Sequence, residues 1–135
     1  MSKAAIICVD DEAIVLDSLK RQLRKAFENQ YFYEFAEGAD EALEIIEELD
    51  EDEINILVIV SDWLMPGVKG DEFLINVHQK FPNIVKVLLT GQADEDAIER
   101  AKNQANLHAC LYKPWTGEEL IETIRSGLAK SQVLE

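Results

Sequence analysis

The sequence predicts an α/β domain built on a parallel sheet covered by helices on both faces. Two observations carry this: strand-length apolar runs alternate with helix-period segments along the whole chain, and the central runs are apolar throughout, as strands buried on both sides are. A third is length, since 135 residues make room for one ordinary domain and no second one.

The strands expected in order are Ala4 to Val9, Tyr31 to Phe35, Ile54 to Val60, Ile84 to Leu89 and Leu107 to Tyr112. The second is more amphipathic than the rest, which suits an edge. Leu16, Leu19, Leu23 and Phe27 recur at spacings of three and four and give a first helix, from about Glu12 to Phe27, one apolar face. Ala39, Ala42, Leu43, Ile46 and Leu49 do so for a second helix, and Phe73, Leu74 and Val77 mark a short third. Ala97, Ile98 and Ala101 give the fourth only a thin stripe; Leu120, Ile121, Ile124 and Leu128 define the fifth. Thr116 and Glu119 stand in capping-box spacing and fix where the fifth begins. The three prolines, Pro66, Pro82 and Pro114, all fall between elements.

Hydrophobic residues at 47% and charged residues at 30% describe a soluble globular domain rather than a disordered or fibrous chain. The formal charge of -14 argues against nucleic acid or an anionic membrane as a direct partner. Part of that excess is the run Glu47, Glu48, Asp50, Glu51, Asp52, Glu53, which reads as a solvated helix end and loop. The two cysteines, Cys8 and Cys110, lie in apolar strand runs and read as small core residues in a reducing, cytoplasmic setting. No segment has the character of a signal peptide or the length of a membrane span. We expect residues 1–130 to form the domain and 131–135 a tail, its last two residues, Leu134 and Glu135, resembling a cloning remnant.

Polar residues appear abruptly where the strands end: Asp10 and Asp11 after the first, Asp62 after the third, Thr90 after the fourth, Lys113 after the fifth. Singly each has an ordinary explanation, Asp10 or Asp11 as a helix cap and Thr90 as a strand end. Together they fall on the rim where open α/β sheets bind ligands. Three carboxylates against one ammonium leave an uncompensated negative charge that a divalent cation would cancel. An oxygen-only set without His or Cys suits Mg²⁺. His78 and His108 lie elsewhere and read as surface or packing residues. The same groups suit phosphoryl transfer, in which a carboxylate attacks phosphorus while cations neutralise the oxygens.

Four segments then resemble the marker motifs of response-regulator receiver domains, the phospho-acceptors of two-component signalling and of chemotaxis regulators. They are Val9-Asp10-Asp11-Glu12, the stretch Ser61-Asp62-Trp63-Leu64-Met65-Pro66-Gly67-Val68-Lys69-Gly70, Leu88-Leu89-Thr90-Gly91 and Tyr112-Lys113-Pro114-Trp115. The resemblance covers roughly residues 4 to 130. It implies a flavodoxin-like fold with strand order 2-1-3-4-5, phosphorylation of Asp62, Mg²⁺ bound by Asp11, Asp62 and the Leu64 carbonyl with Asp10 acting through water, and phosphate oxygens held by Thr90 and Lys113. It implies a turn shaped by Pro66 and Gly67, a helix entry at Gly70, and a cis peptide before Pro114. The implied partners are a sensor histidine kinase or phosphotransfer protein and an output domain or target, met by the face of the fourth helix, fifth strand and fifth helix. Such a domain turns over no external substrate; it assists its own phosphorylation and dephosphorylation.

The chain departs from the family where an aromatic ring ordinarily stands three residues before the lysine. That position is Cys110, and Tyr112, of the same strand parity, is either its substitute or a plain exposed strand residue. Leu64 and Gln92 flank the path of a hydrolytic water; Leu64 cannot orient water, which favours a moderately long-lived phosphoryl state. Two other readings fit less of the sequence. A haloacid-dehalogenase-type phosphohydrolase would need Asp-x-Asp after the first strand and a cap domain, and a phosphorylation-independent pseudo-receiver would not need the full acid, Thr and Lys set.

Overall fold

The computed structural model describes residues 4–91 and 95–133. Gln92, Leu134 and Glu135, named above, lie outside the described residues.

Five strands and five helices alternate: β1 (Ala4–Val9), α1 (Ala13–Phe27), β2 (Phe32–Ala36), α2 (Ala39–Glu51), β3 (Asn55–Asp62), α3 (Gly70–Lys80), β4 (Val85–Thr90), α4 (Glu95–Gln104), β5 (Ala109–Tyr112) and α5 (Gly117–Val133). The strands form one parallel sheet in the order β2-β1-β3-β4-β5. This is the flavodoxin-like arrangement, and with it every strand's carboxyl end faces the same rim. β3 carries one irregularity: Ala5 of β1 pairs with Ile56 and Ile6 with Val58, so Leu57 is skipped.

Side-chain alternation divides the core into two layers. On one side Ile7, Val9, Ile59 and Leu88 meet α2, α3 and α4 through Ile46, Phe73, Leu74 and Ile98. On the other, Ile6, Cys8, Val60 and Leu89 meet α1 and α5 through Leu19, Leu23, Leu120 and Ile124. The apolar positions expected for the helices are buried except Leu43 and Ile121, which are partly so, and among its described residues α4 buries only Ala97, Ile98 and Ala101.

Local signals behave as their chemistry requires. The Thr116 hydroxyl accepts the Glu119 N–H at 3.1 Å, and a Glu119 carboxylate oxygen accepts the Thr116 N–H at 3.2 Å, closing the capping box that opens α5. The acidic run from Glu47 to Glu53 is exposed wherever it is charged. Cys8 and Cys110 are free thiols, Cys8 wholly buried and Cys110 half-buried.

Several boundaries differ from expectation. β2 is Phe32–Ala36 rather than 31–35, because pairing with β1 runs from Ala5 to Val9 against Phe32 to Ala36. β3 and β4 start one residue late and extend to Asp62 and Thr90 themselves, so these polar residues belong to the last ladder positions. β5 begins at Ala109, not Leu107, since Leu107 still bonds back to Ala101 at the end of α4. α5 continues through residues 131–133, which were expected in the tail. Among the described residues no helix is long and apolar enough to cross a membrane.

Candidate functional site

The carboxyl ends of β1, β3, β4 and β5 bring Asp10, Asp62, Thr90 and Lys113 together. Asp10, Asp62 and Thr90 are buried, whereas Asp11 points to solvent. The Lys113 ammonium bridges the two buried acids, donating to Asp62 Oδ1 at 2.9 Å and to Asp10 Oδ2 at 3.2 Å. Asp10 spends its other oxygen on the Glu12 N–H at 2.8 Å, a turn that leads into α1; the helix N-cap is Glu12 and carries no side-chain cap bond, so Asp10 is not the helix cap that one reading of the sequence allowed. Thr90 stands beside Lys113, whose N–H donates to the Thr90 carbonyl at 2.8 Å. The peptide between Lys113 and Pro114 is cis.

One carboxylate oxygen from each of Asp10, Asp11 and Asp62 lies within 4.8 Å of the other two, a spacing able to hold a metal ion. Burial raises the pKa of the Asp62 carboxyl; the Lys113 hydrogen bond opposes this, but repulsion from Asp10 and Asp11 adds to it. For Lys113 burial favours the neutral amine, yet the Asp62 hydrogen bond and both acids outweigh burial and raise its pKa. The two directions are compatible: Lys113 sees an excess of negative charge, and Asp62 sees an excess of like charge that one ammonium does not cancel. The donor set therefore fits a hard divalent cation.

An open cleft of about 560 Å³ leads to Asp62 between Asp11, Glu12, Leu64, Met65, Pro66 and Gly91. A hollow of about 530 Å³ at the opposite end of the sheet is lined by the exposed Asp50, Glu53 and Lys80, and among the described residues it has no group of three acids at metal-binding spacing. Leu64 is 57% exposed at the mouth of the cleft. The loop after Asp62 is held by two glycines with distinct reasons. Gly67 has φ +82°, a left-handed conformation that side chains resist, and a Cβ on Gly70 would stand 2.1 Å from the Asp62 carbonyl oxygen.

Cys110 pairs with Leu88 and packs beside the layer under α4, while Tyr112 pairs with Thr90 and is 52% exposed. The tyrosine thus lies on the rim next to Thr90, its side chain in hydrogen-bond contact with the Cys110 thiol. His78 and His108 stand away from the acids: His78 Nδ1 lies 2.8 Å from Lys86 Nζ, and His108 Nε2 lies 2.8 Å from Ser126 Oγ.

Two features escaped the sequence reading. Lys86, in the middle of an apolar strand, is buried with its ammonium on His78 and the Pro82 carbonyl, and burial lowers its pKa to about 8. A lysine in such a run was itself a signal. Asp71, which sequence presents as an ordinary first-turn helix acid, is buried and accepts hydrogen bonds from Trp63 Nε1 and Arg100.

The model of the response regulator receiver domain matches residues 6–125. The chain is 32% identical over 126 residues to the hydrogenase transcriptional regulatory protein HoxA of Cupriavidus necator, covering 93% of this chain and 24% of that protein. It thus spans about a quarter of that relative's length. It is 26% identical over 121 residues to the chemotaxis protein CheY-3 of Vibrio cholerae, covering 88% of this chain and 87% of that one. A crystal structure of a CheY-like receiver domain protein from Methanospirillum hungatei superposes with a TM-score of 0.86 at 28% identity, over 99% of this chain and all of that one. Receiver domains are signalling modules rather than turnover enzymes, and they bind Mg²⁺ through acidic residues of the kind gathered here. Fold, rim chemistry and family match agree, and the chain belongs to the response regulator receiver domain family.

Proposed function

We propose that Asp62 is the phospho-acceptor of a two-component relay, taking its phosphoryl group from a histidine kinase or phosphotransfer protein and switching the α4-β5-α5 face toward an output. The observation that carries this reading is the Lys113 ammonium held between Asp62 and Asp10, with Asp11 open to the same cleft. An Asp62 oxygen attacks phosphorus in line, the P–N bond to the donor histidine breaks, and the imidazole leaves with the electron pair. The product is an acyl phosphate whose added charge of roughly -1.5 to -2 draws on Lys113 and the Thr90 hydroxyl.

Asp11, Asp62 and the Leu64 carbonyl would hold Mg²⁺ directly. Asp10 would reach the ion through water, which agrees with both its oxygens already accepting protein hydrogen bonds. The ion supplies neutralisation of the phosphoryl oxygens when bound. Before phosphorylation Lys113 relieves part of the like-charge repulsion; afterwards the same ammonium is positioned for a phosphoryl oxygen. Leu64 at the cleft mouth offers no hydrogen bond to an attacking water, which favours a persistent phosphoryl state. The domain works in the cytoplasm on this reading, with no direct contact to nucleic acid or membrane, which the -14 charge supports.

The test is uptake from acetyl phosphate followed by intact mass, with and without Mg²⁺. One phosphoryl group gained only with Mg²⁺, and none in Asp62→Asn, is the expected result; equal uptake by the variant would overturn the assignment.

A further inference from the structure

The segment that carries Asp62 is tied to α4 by side chains that neither the acid cluster nor the fold requires. Trp63 follows Asp62 directly, and its backbone is clamped on both sides. Its N–H donates to the Leu89 carbonyl of β4 at 2.8 Å, and its own carbonyl accepts the Gly70 N–H of α3 at 2.7 Å. The indole Nε1 donates to Asp71 Oδ1 at 3.1 Å. The other oxygen of that carboxylate accepts Nε of Arg100, in the middle of α4, at 3.1 Å, and Nη2 of the same guanidinium.

The geometry points to Asp71 as a positioning residue that transmits the state of the Asp62 segment to α4 through the bridge Trp63–Asp71–Arg100. This inference rests on the phospho-acceptor reading above and adds to it the route of coupling. A carboxylate in the first turn of α3 would favour the helix dipole equally well if it faced water. Asp71 instead is 2% exposed and gives one oxygen to the neighbour of the phospho-acceptor and the other to α4. A buried carboxylate must keep its partners, so a shift of the indole moves the anchor of Arg100.

The rest of α4 makes this tether matter. Its apolar stripe is three small or medium residues, so a fixed charge-assisted contact is a large share of what locates the helix. The position that could otherwise relay a ring movement on β5 holds the Cys110 thiol, with the 52% exposed Tyr112 two residues on. Trp63 also lines the cleft a phosphoryl group must enter, so the group that senses occupancy is the one the bridge holds.

Hydrogen exchange of residues 95–104, measured with and without Mg²⁺ and beryllofluoride as the acyl-phosphate mimic, separates this coupling from a structural role. In the wild type, loading is expected to change exchange in α4 by about fivefold or more, the lower end of ordinary allosteric coupling. In Arg100→Met, a substitution at an exposed position that leaves the core intact, the site still loads but the loaded-to-unloaded ratio in α4 falls to near one. Trp63→Phe, compared at matched loading because its ring lines the cleft, lowers the ratio likewise, and the double variant is no worse than either single, since both cut one chain. Arg100→Lys restores part of the response.

A merely structural contact would change α4 exchange equally in both states and leave the ratio intact, and that result overturns the proposal. A wild type that loads while α4 stays silent overturns it too and leaves the phospho-acceptor reading standing. A wild type that fails to load removes both.

Discussion

Replacing Asp62 with asparagine is expected to make the metal-free protein more stable at neutral pH, although it removes an ion pair. At an effective dielectric constant near 20, the Lys113 ammonium at 2.9 Å attracts the Asp62 carboxylate by about 6 kcal/mol. Asp10, no more than 4.8 Å away, repels it by at least about 3.5 kcal/mol, and the exposed Asp11, screened by solvent, adds roughly 1 kcal/mol. The remaining attraction, at most about 1.5 kcal/mol, is smaller than the several kcal/mol of desolvation borne by a buried ion. Asparagine keeps an acceptor for Lys113, which also retains Asp10. We therefore expect a gain of about 2 kcal/mol, or for 135 residues roughly 7 °C in melting temperature.

The pH dependence follows from the raised pKa of Asp62. A group titrating higher in the folded than in the unfolded chain contributes stability that is complete below its ordinary value of 3.8 and is lost as pH rises through the folded value. The variant's advantage is thus absent in acid and opens toward neutrality. Mg²⁺ is expected to invert it, because an ion at a hundred times its Kd adds about 2.7 kcal/mol to the protein that binds it. Thermal melts in chelator and in Mg²⁺ at several pH values check this. A metal-free variant less stable than the wild type at pH 7.5, or equal Mg²⁺ stabilisation of both proteins, would refute the charge balance.

Lys113→Met leaves Asp10 and Asp62 buried with no counter-charge, so metal-free stability by urea titration is expected to fall by about 3 kcal/mol while Mg²⁺ affinity by calorimetry rises. Lys86→Met puts an apolar chain of similar length where a buried ammonium sits. Because the Lys86 pKa is lowered to about 8 from 10.5, its contribution is present above 10.5 and lost as pH falls through 8. The variant is expected to be the more stable protein at pH 7 by about 1 kcal/mol, with a flatter stability profile between pH 8 and 10.5 in denaturant titrations. Leu64→Asn supplies an amide at the cleft mouth, and loss of the phosphoryl group, followed by intact mass, is expected to quicken by about tenfold; no change would remove the role given to Leu64.

The sheet and its rim were legible because burial on both faces forces apolar strands, so Asp10, Asp62, Thr90 and Lys113 stand out as polar residues at the carboxyl ends of the runs. Strand ends were less legible. Asp62 and Thr90 complete β3 and β4 because backbone pairing ignores side-chain polarity, and Leu107 leaves β5 because it bonds to Ala101. The chemistry of Asp10 needed the structure, since only its two bonds, to the Glu12 N–H and to Lys113, show one residue holding the turn into α1 and serving the site. The bridge through Asp71 was invisible for a different reason. Trp63, Asp71 and Arg100 lie on three elements, and no periodicity relates an indole in a loop to a guanidinium 37 positions later.

The claim on which the rest depends is that Asp62, among three neighbouring acids, is the one that carries the phosphoryl group. Borohydride reduces an aspartyl acyl phosphate to homoserine, so peptide mapping after treatment with acetyl phosphate, Mg²⁺ and borohydride reads the site directly. Homoserine at position 62 alone is the expected result. Homoserine at position 10 or 11, or at none of the three while the protein still gains phosphate, would contradict it.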